Sequence, residues 1–245
     1  MFDVFVAIVA TLAGGIASIA GFGIGSLLTP VLATRYGMKT AVVTVAIPHL
    51  IATVLRLWKL RRYVNRRVLL GFGSMNAAGS LVGAFIHTWV DNPILTMILA
   101  SLLVFAGMTG VLGYADRMRL DKTTAWLAGT VSGAFGGLVG NQGGIRSAAM
   151  LGLGVQGPAF VATASAIGVV VDVVRMPIYF ARESARIFHA SSSLPAAILG
   201  VILGTIGGER VLRKIPEKLF RRVASALLLL IGVWLLATAG RRLAT

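Results

Sequence analysis

Residues 138–147 read LVGNQGGIRS, and they set an arginine, Arg146, inside one of the most apolar parts of the chain, directly after Asn141, Gln142, Gly143 and Gly144. Working outward, the preceding TVSGAFGGLVG (Thr130–Gly140) lies over an earlier TLAGGIASIAG (Thr11–Gly21) when the chain is slid by 119 positions. Thr11 then meets Thr130, Gly14 meets Gly133 and Gly21 meets Gly140. The same offset sets Thr44 on Thr163 and Arg56 on Arg175, and a slip of two brings Gly79 and Gly83 onto Gly200 and Gly204. Glycines coincide easily in a chain that has 30 of them, so the shared order carries the reading and no single pair does. The chain reads as two repeats, 1–119 and 120–245.

The solvent these repeats expect is lipid. Of 245 residues 57% are hydrophobic and 13% charged, with a mean hydropathy of +0.87, far from the composition of water-soluble domains. Eight apolar stretches recur, at 3–20, 40–57, 68–89, 94–112, 124–139, 159–180, 193–207 and 219–239. A helix of about 20 residues crosses a hydrocarbon layer about 30 Å thick, so the expected fold is an all-α, multi-pass membrane protein. The first stretch lacks a basic leading region and runs into GFGIGS, which fits the mature fold better than a removable signal peptide. The net charge of +15 is carried by short loops such as RLWKLRRYVNRR (Arg56–Arg67) and RVLRKIPEKLFRR (Arg210–Arg222). Basic loops of this kind favour the cytoplasmic face and its anionic leaflet, and nucleic acid is not implied.

Each half carries four apolar segments, and the first of each is followed by a glycine-rich break and a shorter apolar piece, 27–34 or 147–153. From Phe2 to Thr34 a continuous helix would be roughly 50 Å long, too long for one upright span. The first helix of each repeat is therefore expected to be discontinuous, and the chain either steps sideways or turns back. Lys and Arg in the loops favour one side by about two to one under both arrangements, so their count does not choose between them. The returning arrangement is preferred because it inverts the second repeat relative to the first, with both termini outside. Discontinuous helices at matching positions of two repeats are where transporters bind their cargo.

At such a break the first N–H groups of the resuming helix have no intrahelical partner and carry partial positive charge. Asn141, Gln142, Gly143, Gly144, Arg146 and Ser147 in the second half, with Gly23, Gly25 and Ser26 in the first, are the expected binding set for a small anion. Glycine lets the backbone approach, amides and hydroxyls donate, and a guanidinium pairs with oxyanions through parallel hydrogen bonds. Placing a charge at mid-membrane costs about 2.5–3.5 kcal/mol on insertion scales. Arg146 thus needs either a buried acid, a route to the surface, or a ligand. Only Asp172, in VVVDVVRMP, is a carboxylate well inside an apolar segment. It can pair with Arg175 three residues on, or both can serve substrate or proton coupling. His49 follows Pro48 and reads as a satisfied core histidine or as a polar-cavity residue; with Arg56 it completes the coupling or pathway group. His87 and His189 lie near segment ends and need no special role. Three scattered histidines without cysteine give no metal signal, and no cofactor is expected. GFGIGS lacks the strand–helix setting of a dinucleotide loop.

The duplicated breaks GFGIGSLLTPVL (21–32) and GNQGGIRSAAML (140–151), with the basic loop after the second segment and the Gly-xxx-Gly third segment, resemble the TauE/SafE family of sulfite exporters and related organosulfur-anion permeases. The resemblance spans nearly the whole chain and implies an inner-membrane secondary carrier for sulfite, an organosulfonate or a similar small anion. The second half departs from the first in having Ala149 where Pro30 stands and Arg146 where Leu27 stands, which leaves the substrate open. The expected partners are the anion and the lipid bilayer, with proton coupling and a homo-oligomer both left open. An anion channel and a non-transporting sensor or assembly subunit are the alternatives. An intramembrane enzyme would need a nucleophile and base at motif spacing, which the sequence lacks.

Overall fold

The computed structural model describes residues 1–113, 121–212 and 217–243. Among them there are helices and connecting turns and no strand. The helices are α1 (Phe2–Ala20), α2 (Ile24–Tyr36), α3 (Met38–Leu60), α4 (Arg66–His87), α5 (Asn92–Val111), α6 (Lys122–Val139), α7 (Gly143–Gly152), α8 (Gly157–His189), α9 (Leu194–Leu212) and α10 (Glu217–Leu243). Six of the described helices are long and apolar enough to cross a membrane, by length and composition. Large apolar side chains such as Phe5, Ile8 and Leu12 on α1, Leu81 and Phe85 on α4, and Leu199 and Leu203 on α9 are exposed, as a lipid-facing surface requires.

Both sequence breaks are helix ends made by the same device. Gly21 follows α1 with φ 72° and its N–H bonded to the Ala17 carbonyl; Gly140 follows α6 with φ 69° and its N–H bonded to the Gly136 carbonyl. Left-handed backbone of this kind costs other residues about 1–2 kcal/mol, which is why glycine ends both helices. After the first break α2 turns back along α1. The Tyr36 ring at its far end meets the ring of Phe2 at 6.1 Å, and the Arg35 guanidinium lies over Phe2 at 5.1 Å. The first discontinuous segment is thus a hairpin that returns to the side from which it started.

Bare backbone lets four helices pack at close range. α1 lies parallel to α9: Gly200 meets Ala7 and Thr11, and Gly204 meets Thr11 and Gly15. α4 lies parallel to α6: Gly133 faces the Asn76 carbonyl, Gly137 faces Ser80, and Gly83 faces Ala134. A β-carbon on Gly83, Gly133 or Gly204 would overlap the opposing carbonyl, the signature of small-residue packing in lipid. Thr130 O lies against Gly79 as Thr11 O lies against Gly204. The backbone contacts therefore match Gly79 with Gly204, one turn beyond the pairing with Gly200 expected from the sequence.

Two further pairs run antiparallel. α3 crosses α8 with His49 opposite Asp172, Thr53 opposite Gly168 and Arg56 opposite Ser165. α5 lies along α10 with Gly107 against Leu229, Gly110 against Ser225 and Gly232 against Val104. The two breaks meet at the centre of this arrangement, where Gly25 touches the Gly140 carbonyl so closely that a β-carbon there would overlap it.

Candidate functional site

Where the breaks meet, a small cleft is lined by Phe22, Gly23, Gly25, Ser26, His49, Gly140, Asn141, Gln142, Gly143, Arg146 and Arg175. The N-termini of α2 and α7 both open onto it, so two sets of intrahelically unpaired N–H groups face the same space. At α7 the Gly143 N–H is held by Asn141 Oδ1 at 3.3 Å and the Arg146 N–H by the Gln142 carbonyl at 3.0 Å. The Ser132 hydroxyl also donates to that carbonyl, at 3.2 Å. The loop is braced from behind while the Gln142 Oε1 atom has no partner among the described residues.

Arg146 is 2% exposed. Among the described residues it pairs with no acid, and it does not reach the surface: its Nη2 donates to the Gly21 carbonyl at 3.0 Å, across to the first half's break, and its Nε and Nη1 have no partner there. Gly21 caps the carbonyl end of α1, the negative end of that helix, so the bond orients the guanidinium without neutralising it. Arg56, 3% exposed on α3, donates to Ser165 Oγ at 3.3 Å and leaves its Nη1 unpartnered among the described residues.

Asp172 and Arg175 do pair locally. Arg175 donates from Nε at 3.0 Å and Nη2 at 2.7 Å to Asp172 Oδ1, and its Nη1 donates to the Gly136 carbonyl. The second carboxylate oxygen, Oδ2, lies 2.6 Å from His49 Nδ1. With Asp172 ionised by Arg175, the Nδ1 of a neutral His49 is the protonated nitrogen. The sequence alternatives for His49 are thereby joined, because it is bonded to a buried carboxylate and also lines the cleft.

The cleft thus gathers most of the residues expected from sequence and leaves four aside. Gly144 faces Ala106 on α5, where a β-carbon would come within 2.6 Å, so it serves packing. Ser147 and Arg56 are not in the cleft lining, and Asp172 stands behind His49 and Arg175. Phe22 lines the cleft without having been expected to. Among the described residues no group of His, Asp and Glu side chains is arranged to hold a metal ion. The charge balance around the cleft is the informative quantity: among the described residues the buried guanidinium groups of Arg56, Arg146 and Arg175 stand there against the buried carboxylate of Asp172, before His49 is counted, the other buried carboxylate, Glu183, lying further along α8. Each uncompensated buried ion costs several kcal/mol, and both helix N-termini add positive potential. The cleft therefore carries an excess of positive charge.

A family model described as sulfite exporter TauE/SafE matches residues 6–235. The chain belongs to that family. Comparison with curated proteins and with solved structures gives no match. TauE/SafE members are membrane transporters and not enzymes, and this member, with its lipid-facing helices, is a multi-pass membrane protein.

Proposed function

We propose that this TauE/SafE protein is a secondary carrier in the cytoplasmic membrane that binds a small anion, such as sulfite, an organosulfonate or a carboxylate, in the cleft between its two discontinuous helices. Asn141, Gln142, Gly143, Arg146, Gly23, Gly25 and Ser26 form its contact set, with Arg146 as the principal cation. The single observation that carries the reading is Arg146 itself: buried, anchored to the Gly21 carbonyl by one nitrogen, and with donors left at Nε and Nη1. Hydrogen bonds to charged groups contribute about 1.5–3 kcal/mol each, enough for two such donors to select an oxyanion over a neutral solute. His49, bonded to Asp172 and lining the cleft, is where a coupling proton would be held.

The halves 1–119 and 120–245 act as inverted repeats in this reading. A two-fold axis in the membrane plane requires equivalent helices to run in opposite senses. The antiparallel pairs α3–α8 and α5–α10 fit that requirement, as does the parallel packing of α1 with α9 and α4 with α6. A returning α1–α2 hairpin gives each half an odd number of crossings, which inversion needs. Carriers of this design work by rocking one group of helices against another about a fixed midplane site.

Uptake of labelled sulfite into proteoliposomes tests the proposal. Saturation and counterflow are expected, which a channel would not give. Arg146→Gln is expected to reduce flux at low sulfite by about tenfold or more, one lost charge-assisted contact. Unchanged flux in that variant would remove Arg146 from the mechanism, and the absence of sulfite or organosulfonate flux in the native protein would refute the anion-carrier reading.

A further inference from the structure

Beyond the cleft, α8 holds a second buried polar group of residues that the carrier reading leaves unused. From Arg175 toward the end of the helix, Tyr179 and Glu183 follow at intervals of four and are buried, so they stand one above another on a single face. The Tyr179 ring lies 5.6 Å from the Arg175 guanidinium, and its hydroxyl donates to the Gly137 carbonyl. Beside it, at 5.4 Å between ring centroids, is His87, which is fully buried. His87 Nδ1 donates to the Leu138 carbonyl at 2.7 Å, and its Nε2 has no partner among the described residues. At the far end Glu183 lies 2.5 Å from Arg186 Nε and 3.9 Å from Lys39 Nζ, while Lys39 also donates to the Thr88 carbonyl at 2.7 Å. Polar groups therefore run from the cleft's own Arg175 to Lys39 near the end of the helix bundle.

The backbone adds an independent observation. Glu183 has φ −129° and ψ 19°, outside the helical region, inside what is otherwise one helix. The bend falls six residues after Pro177, whose ring already removes one hydrogen bond from the helix. The kink at Glu183 separates the end of α8 from the part that holds Asp172 and Arg175. A carboxylate set between Lys39 and Arg186 also has the charge and size of the ligand proposed for the cleft.

We propose that this face of α8 is the anion's path between the cleft and the Lys39 end of the protein, and that Glu183 is its gate, an internal carboxylate occupying the Lys39 and Arg186 cations until a transported anion displaces it. The inference rests on the anion-carrier reading. Competition of this kind has a definite sign. Removing the internal competitor strengthens binding of the external one by the coupling between them, and such couplings are commonly fivefold or more.

Sulfite uptake into proteoliposomes is measured for the native protein, Glu183→Gln, Lys39→Gln and the double variant. Glu183→Gln is expected to lower the half-saturating sulfite concentration by at least about fivefold, Lys39→Gln to raise it, and the double variant to lose the gain. Half-saturation in Glu183→Gln equal to or above the native value, in protein that still transports, overturns the gate. Native protein without sulfite flux would instead refute the carrier reading itself. A second measurement does not depend on Glu183→Gln folding. The chain contains no cysteine, so single cysteines at Tyr179→Cys and at lipid-facing Val173→Cys can be challenged with an anionic, membrane-impermeant methanethiosulfonate. Faster reaction at position 179 than at 173 is expected; equal or slower reaction overturns the path.

Discussion

Asp172 is the residue whose loss is most informative, because two other groups, Arg175 and His49, are bonded to it. Its two oxygens engage Arg175 and His49 at 2.6–3.0 Å with no exposure to solvent. Removing one member of a buried ion pair typically costs about 3–5 kcal/mol, mostly by stranding the other. Asp172→Asn is therefore expected to lower the thermal unfolding temperature in detergent markedly. Adding Arg175→Gln should recover part of the loss, since the stranded charge goes with it. Strictly additive losses would show that the two side chains are not coupled. Arg146→Lys separates charge from shape at the cleft. A lysine keeps the cation and loses the planar fork, so transport should persist with half-saturation raised by about tenfold, and native kinetics would mean that charge alone is used. Much of this was legible in the sequence, because an Arg after two amides and two glycines and a lone Asp in a valine run are visible without coordinates. The Asp172–His49 bond was not, since the partners are 123 positions apart. Tyr179 and Glu183 share the helical face of Arg175 at intervals of four, but they lie where the apolar run gives way to charged residues, so their burial does not show in the sequence. His87 stands near a segment end in sequence and is fully buried in the fold, because α6 covers it and supplies the Leu138 carbonyl.

At the scale of elements, glycine does two different things, and the difference is measurable. Gly204 and Gly207 are three apart on α9. A β-carbon on Gly204 would overlap the Thr11 carbonyl, whereas one on Gly207 meets nothing within 4 Å. Gly204→Ala is expected to destabilise by about 1–3 kcal/mol, as overpacking does. Gly207→Ala should be neutral or stabilise by about 0.5–1 kcal/mol, through reduced freedom of the unfolded helix. Thermal unfolding of the two variants checks this, and equal shifts would contradict close α1–α9 packing. The helices themselves were legible as apolar stretches, and the breaks as glycine clusters. The register between third segments was not, because glycines four apart along one face present the same pattern after a shift of one turn. Only the opposing carbonyls, Thr130 on Gly79 and Thr11 on Gly204, distinguish the alternatives. α8 is also longer than its apolar stretch: it continues to His189 through Pro177 and the bend at Glu183, past the point where Arg182, Glu183 and Arg186 end the apolar run.

For the whole molecule, the path of the discontinuous helices decides the topology. If each crossed the membrane once, the two halves would point the same way, and α3 and α8 would run parallel, as would α5 and α10. They run antiparallel, and Tyr36 comes back to Phe2. The turn after α2 and the turn after α7 therefore belong on opposite faces of the membrane in the returning arrangement, and on the same face in the crossing one. Thr34 and Gln156 are exposed at those turns, and the Thr34 hydroxyl bonds within its own helix, to the Val31 carbonyl. In a chain with no native cysteine, Thr34→Cys and Gln156→Cys can each be labelled in sealed vesicles with a reagent that does not cross lipid. Labelling of one from outside and of the other only after permeabilisation is the expected result. Labelling of both from one side would remove the proposed inverted symmetry, and with it the reason for the N-termini of α2 and α7 to open onto one cleft.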